Sequence, residues 1–492
     1  NFLPLLKLAQ GPEARRISIR GATVTLQLPQ RQELLRLDVQ DLQFVAGRVE
    51  RLGRVTMSAV LDPDGCAAPI SLNVALGASE EAAADVDFSF TGLDLARLEL
   101  PTLLRLPLRR LHGRCNGSLG LRVNHEGYTE RFRFDLNVFD LDVQPSEGPE
   151  LRVIEKAHLR IDAATDLVRG QIDIQSASVL LPGVRLAGRA KMSLDVLEGN
   201  WEAVESIDVS GEVHPGQIAG LLSGGAALPG GLAVVGPVDV ALSARRDGAR
   251  VRIGLTADAT AAALHRDGRE IKPAGRALLA ELAGTLDERN WDLTIERASP
   301  GQLRLGRNVA QIWGTLGDLR RLTNSWREPS LSVFQRASQS LALLDCQGTW
   351  VLTDLESLGD LSPSLAAALE SVVLRGVIRG RWHVAPADEA DVHAEARLYA
   401  PAETALRIGA GFVKPLGRIA SLRLAGDIDA GQSSVRNAEL ELSIGAGSVV
   451  LGPARLAVSG ADEETLVFDG PLKVEHVQDL VTCLPQWPDL GV

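Results

Sequence analysis

The chain has 492 residues, 45% hydrophobic and 23% charged, with a formal net charge of −12. That balance excludes a disordered polypeptide. With no large Lys/Arg cluster it also excludes a nucleic-acid binder. Aromatic residues make up only 4%, so the apolar surface is mostly Leu, Val, Ile and Ala. Gly 48 and Pro 24 supply the many turn sites that short strands require.

The opening "NFLPLLKLAQ" has neither an initiator Met nor a signal-peptide layout. It reads as a processed or excised piece whose anchor would lie outside the chain. No run of 18 apolar residues follows, so no segment is expected to cross a membrane as a helix. Further on, "DFSFTGLDLARLELPTLLRL" reads as strand, Gly92, strand, then a helix over 97–110. "LHGRCNGSLGLRV" adds small residues four apart, Gly113 and Gly117, leading into a strand. In "RFRFDLNVFDLDV", Phe132, Phe134, Leu136 and Val138 alternate with polar residues, the mark of a strand with one dry face. The phase slips at Val138-Phe139 and continues on odd numbers, which predicts a bulge or bend.

Ile172 and Ile174 in "QIDIQSASVLL" share a face, as do Met192, Leu194 and Val196 in "RAKMSLDVL". "DVSGEVHPGQIAGLLSG" repeats the strand–Gly–strand–helix pattern around Gly211, with a helix over 215–224. Val238, Val240 and Leu242 then lead through a turn at Asp247-Gly248 into Val251, Ile253 and Leu255, a strong hairpin signal. "RALLAELAGTLDERNWDLTIE" predicts a hairpin turning near Asn290. The segment 309–326 suits helix or strand, and 328–344 has helical spacing through Leu331, Phe334 and Leu341. "DCQGTWVLTDLESLGDL" is the third strand–Gly–strand unit, around Gly348, with a helix over 356–371. "VVLRGVIRGRWHV" follows with Gly376 and Gly380. Leu422, Leu424, Leu440, Leu442 and Ile444 alternate in the next strands. "FDGPLKVEHVQDLVTCL" closes the series around Gly470, with a helix over 475–484.

The recurrence suggests about four mostly β units with soft boundaries: 1–130, 131–250, 251–390 with a helical insertion near 328–371, and 391–492. A repeat that cannot bury its face alone stacks on its neighbours.

Chemistry-bearing motifs are absent. There is no nucleophile elbow and no P-loop, and "GAGFVKPLG" fails the spacing of a dinucleotide loop, so its glycines read as hairpin glycines. Cys66, Cys115, Cys346 and Cys483 are isolated and carry no zinc spacing. His214, His383 and His393 lack partnering ligands in sequence. Asp427/Asp429 and Asp140/Asp142 read as the wet face of strands rather than acid/base pairs. Asp62 and Asp64 fit a turn better than a calcium loop, and Asn116 a tight turn better than a glycosylation acceptor. The chain is therefore read as a non-enzyme without metal or cofactor.

Periodicity leaves two ways to cover the dry face. The sheet could close on itself into a core, or stay open as a trough for an apolar ligand. Each buried Leu or Ile contributes roughly 1.5–3 kcal/mol, so an open trough in water implies a lipid or membrane partner. The "DVSGEVHPGQIAGLLSG" and "DCQGTWVLTDLESLGDL" units, their downstream "L-x-G-x-x-x-G" strands and the ending "RLAGDIDAGQSSVRNAELELSIGAGSVVLG" resemble the AsmA/TamB/YhdP group of bacterial envelope proteins. That resemblance implies an elongated, twisted antiparallel β-sheet folded like a taco around an open apolar groove, with a few short helices. It also implies a periplasmic location with an inner-membrane anchor outside this chain, and movement of phospholipid or another acyl lipid between inner and outer membrane. The groove residues expected on this reading are Phe132, Phe134, Leu136, Ile172, Ile174, Leu194, Val196, Val240, Leu242, Val251, Ile253, Leu422, Leu424, Leu440 and Leu442. The alternative is an envelope assembly protein whose sheet edges template the strands of outer-membrane proteins.

Overall fold

A computed structural model describes residues 15–27, 34–46, 53–61, 67–76, 83–98, 108–126, 128–145, 153–166, 169–198, 203–221, 232–266, 268–319, 343–359, 369–387, 391–409, 412–414, 416–429, 434–459, 465–481 and 483. The described chain is mainly β, with antiparallel pairing and very little helix. It divides into two compact units, Asn1–Ala233 and Val234–Val492.

The first unit is a meander. Its strands are β1 (Arg15–Gln27), β2 (Leu34–Ala46), β3 (Gly53–Leu61), β4 (Ala68–Leu76), β5 (Ala84–Asp94), β6 (Leu108–Val123), β7 (Thr129–Pro145), β8 (Ile154–Asp166), β9 (Gln171–Leu181), β10 (Val184–Ser193) and β11 (Val204–Val213). Each pairs antiparallel with the next. Two 3-10 turns, Leu95–Leu98 and Leu194–Glu198, and the helix α1 (Pro215–Leu221) follow strands in this unit.

At the division stands β12 (Leu232–Val235). The second unit continues with β13 (Val238–Asp247), β14 (Arg250–Asp258), β15 (Ala263–Arg266), β16 (Arg269–Lys272), β17 (Leu278–Asp287), β18 (Asp292–Ile295), β19 (Gly301–Leu305), β20 (Asn308–Leu316) and β21 (Leu344–Leu352). Then come β22 (Val372–Arg375), β23 (Ile378–Pro386), β24 (Asp391–Ala400), β25 (Ala405–Ile408), β26 (Phe412–Lys414), β27 (Ala420–Asp429), β28 (Ser434–Ile444), β29 (Gly447–Ser459), β30 (Thr465–Asp469) and β31 (Leu472–Glu475). The main sheet runs β13–β14–β17, then β20–β21–β23–β24–β27–β28–β29. Between β17 and β20, β18 and β19 act as two halves of one strand, each pairing with both neighbours. β30 and β31 share β29 in the same way. Two three-stranded side sheets, β12-β15-β16 and β22-β25-β26, branch off. The helices are α2 (Leu355–Gly359) and α3 (Val477–Val481).

The strand–Gly–strand–helix pattern is present at all four places. Gly92 lies in β5 before the Leu95–Leu98 turn, Gly211 in β11 before α1, and Gly348 in β21 before α2. Gly470 separates β30 from β31, which leads to α3. The turns at Asp247-Gly248 and near Asn290 join β13 to β14 and β17 to β18 as expected. The phase slip in β7 is a bulge at Asp140, whose φ is +53°, with Gly113 of β6 opposite. Beyond it Leu141 rejoins Val138 and Leu136 in one apolar cluster.

Several helical expectations are corrected. The 97–110 segment gives a 3-10 turn ending at Leu98 and is strand from Leu108, with 99–107 outside the described residues. Of 328–344, only the end is described, and Leu344 begins β21. The 356–371 helix, by contrast, is helical wherever it is described before 371, at Leu355–Gly359 and again at 369–370, with 360–368 outside the described residues. The ambiguous 309–326 segment is strand through Leu316.

Candidate functional site

Register decides which side chains share a face, because directly opposed residues on antiparallel strands point the same way. In the first unit Phe132 opposes Leu121, which opposes Val86, then Val74, then Val55. The next row is Phe134, Leu119, Phe88, Leu72 and Met57. In the other direction Phe134 opposes Ile161 and Leu136 opposes Leu159. Ile161 then opposes Ala177, and Leu159 opposes Val179. Ile172 and Ile174 join this face opposite Met192 and Ala190, which oppose Val204 and Ile207. The face stays apolar from β3 to β11. The other face carries Arg54, Asn73, Asp85, Arg122, Arg131 and Asp162, among others. Arg131 donates to both Asp162 oxygens at 2.9 Å, holding that carboxyl below the usual carboxylate range.

The second unit has the same two-faced construction. Val240 opposes Ala257, Leu242 opposes Leu255, Ile253 opposes Ala244, and Val251 opposes Leu286. Further along, Leu398, Leu422, Leu442 and Val449 form one row, and Ala396, Leu424, Leu440 and Leu451 the next. Strand ends are closed by clusters around Leu286, Leu293 and Ile295 and around Ala400, Ala420, Ile444 and Leu480. Mid-strand leucines are open: Leu242 and Leu255 are 42% exposed, Leu303 49% and Leu424 41%. For large aliphatic side chains in opposed rows, that exposure makes a continuous apolar strip rather than scattered surface residues.

Thirteen of the fifteen expected groove residues lie on these two apolar faces. Leu194 and Val196 do not. They sit in the 3-10 turn after β10, where the chain leaves the sheet at Ser193 and the period of two ends. Leu255 and Leu303 are equally part of the strip but missing from that set. Alternation marks both, although β19 is only 5 residues long and gives a short signal.

Two tryptophans fold over glycines on the apolar side of β21 and β23. Gly348 opposes Trp382, and Trp350 opposes Gly380. A Cβ on Gly380 would lie 1.1 Å from Trp350 Nε1, and one on Gly348 2.4 Å from Trp382 Nε1. The glycines are thus the floor on which the indoles rest, a way of filling a strand position that lacks a side chain.

The candidates Cys115, Cys346, Asn116, His214 and His393 sit in local contacts with their neighbours. Burial and the neighbouring Asp94 and Asp345 push the Cys115 and Cys346 thiols up to about 11, which leaves them protonated and unreactive. Asn116 Oδ1 accepts from Gly92 N at 2.7 Å. His214 bonds Glu212, and His393 Nδ1 lies 2.8 Å from Asp427, which also accepts from Asn437. Among the described residues no group of three or more His, Cys, Asp or Glu could hold a metal, and no helix is long and apolar enough to cross a membrane.

Sequence reading missed a duplicated lysine cage. In each side sheet a Lys-Pro-x-Gly stretch, Lys272–Gly275 and Lys414–Gly417, buries its lysine, at 1% and 0% exposure. Lys272 Nζ donates to the carbonyls of Ala259, Ala262, Thr260 and Pro273 at 2.6–3.3 Å. Lys414 Nζ donates to the carbonyls of Pro401, at 2.9 Å, and Thr404. The glycines bond alike, Gly275 N to Thr260 O and Gly417 N to Ala402 O, both at 2.8 Å. Burial pushes both ammonium groups down from their ordinary value. Each cage pins the loop under its side sheet, so the repeat is mechanical as well as sequential.

Compared with family models, curated proteins and solved structures, the chain has no match.

Proposed function

We propose that the protein carries phospholipid or another acyl lipid on the apolar faces of its sheets and moves it between the inner and outer membrane of a bacterial envelope. The observation that carries this reading is the mid-strand exposure of Leu242, Leu255, Leu303 and Leu424 on the apolar face of the second unit. A protein needing only a core would bury these leucines, because each gains roughly 1.5–3 kcal/mol from leaving water. Acyl chains laid along the strip supply that burial, and headgroups stay hydrated at its margin. The mechanism is passive and needs no catalytic residue. The Gly-rich repeats and their resemblance to the AsmA/TamB/YhdP group support the periplasmic setting.

The test is native mass spectrometry of protein extracted gently from bacterial cells. Bound phospholipid is the expected result, lost in a Leu242→Asp/Leu255→Asp double variant that keeps its melting temperature. Lipid-free, soluble and monomeric wild-type protein would overturn the reading.

A further inference from the structure

On the polar face of the second unit, five strands build a hollow of about 640 Å³. Its walls are two register rows. One runs Thr349, Arg381, Arg397, Arg423 and Glu441 across β21, β23, β24, β27 and β28; the other runs Val351, Arg379, Tyr399 and Ser421. Gly380 lies in the floor.

Three arginines directly opposite one another on adjacent strands are unfavourable, because like charges in register repel. A sheet keeps such a row when something compensates, and breaches of local rules concentrate at functional sites. Compensation here is partial. Glu395 accepts from Arg397 Nε at 2.7 Å and Arg423 Nε at 2.8 Å, and Glu439 accepts from Arg423 at 2.8 Å. Arg379 and Arg381 make no ion pair among the described residues. Glu395 therefore bonds two guanidiniums through their Nε atoms, which leaves the terminal N–H groups of Arg397 without a protein partner among the described residues, in a hollow that two unpaired arginines also line. Tyr399 and Ser421 add hydroxyls. Arg397 and Arg423 are held by their carboxylates and Arg379 and Arg381 are free to turn toward a ligand, a set of forked donors suited to a tetrahedral, multiply charged oxyanion.

We propose that this hollow is a binding site for a phosphate-bearing ligand, with Arg379, Arg381 and Arg397 as the contacting groups and Glu395 as the residue that positions Arg397 and Arg423. It lies on the face opposite the apolar strip and stands independently of lipid carriage. The phosphate could belong to a free anion or to a lipid headgroup, and the two are separable.

The experiment measures binding of inorganic pyrophosphate to the full chain by calorimetry, and binding to vesicles of phosphatidylcholine with and without phosphatidylglycerol. Saturable pyrophosphate binding that falls at least about tenfold in Arg379→Gln/Arg381→Gln, with an unchanged melt, supports the site and a free anion as sufficient. Binding only to the anionic vesicles, lost in the same variant, supports the site and assigns the phosphate to a headgroup. No binding in either assay, or binding unchanged in the variant, overturns it. Glu395→Gln separates positioning from bulk charge. Removing a carboxylate should strengthen anion binding by charge alone, whereas loss of a positioning residue weakens it, so tighter binding would overturn that role.

Discussion

The two units share a two-faced sheet but finish it differently. The first is an unbranched meander whose apolar side chains run in register from β3 to β11. Near strand ends it buries them closely: Val74, Leu76, Val86 and Val123 are all under 5% exposed. The second branches into two side sheets, each pinned by a buried lysine, and leaves more of its dry face open at mid-strand: Leu242, Leu255, Leu303 and Leu424, against Ile19 in the first. At Gly236 and Gly376 the chain passes from a side-sheet strand onto the main sheet, with φ values of +111° and +121° that suit glycine alone. The comparison teaches that apolar alternation sets a dry face, while the local covering decides whether that face is core or strip.

Charge on the dry face should break the two units unequally, and this is the largest effect expected. Ile172 in the first unit is 6% exposed, so Ile172→Asp buries an unpaired carboxylate and costs several kcal/mol. A thermal melt should show collapse or a large fall in Tm. Leu424→Asp in the second unit places the carboxylate at a position already 41% open. Its melt should stay near wild type while bound lipid is lost. Similar melts for both variants would remove the distinction between core and strip.

Much of this was readable in advance. Alternation in β7, β9, β13, β14, β27 and β28 placed Phe132, Ile174, Val240, Ile253, Leu422 and Leu442 on the dry face, because a period of two is a local property of the strand. Leu194 and Val196 kept the period but not the strand, since the sheet ends at Ser193 and alternation does not announce its own end. The lysine cages were hidden for another reason. Lys414 sits in "GAGFVKPLG", which reads as a hairpin, and its partners are main-chain carbonyls that no residue type marks. The arginine row was hidden because its members come from three strands and meet only through register.

Glycines sharpen the comparison at a smaller scale. Gly380→Ala in the second unit would drive a Cβ into the Trp350 indole and should cost about 1–3 kcal/mol, the range of overpacking. Gly92→Ala in the first unit meets nothing within 4 Å, and only its φ of +69° is strained, so about 1 kcal/mol is expected. Denaturant melts of the two variants give the order directly.

The cages should respond locally. Lys272→Met or Lys414→Met leaves buried carbonyls without their donor, at about 1–3 kcal/mol each. Hydrogen exchange should rise in β15–β16 for the first and in β25–β26 for the second. Faster exchange spread evenly over the main sheet would show that the lysines support more than their own side sheets.

The smallest effect is in acid. In the first unit the Arg131 hydrogen bonds hold the Asp162 carboxyl low. In the second, Arg423 and then Arg397 hold Glu395 low, and Asn437 and His393 do the same for Asp427. A carboxyl whose folded pKa lies below its unfolded value adds stability that is complete above the ordinary value of about 4. That stability is lost as pH falls from there through the lowered folded value, because the unfolded chain then takes up the proton first. Denaturation midpoints should therefore fall on acidification below about pH 4. Arg131→Gln should flatten part of that slope, and Arg423→Gln a different part. Because these carboxyls lie on the polar face and are partly solvated, added salt should weaken both contributions. If Arg423→Gln left the acid slope unchanged, Glu395 would not be held low by its arginines, and the positioning of Arg397 and Arg423 by that carboxylate would lose its physical basis.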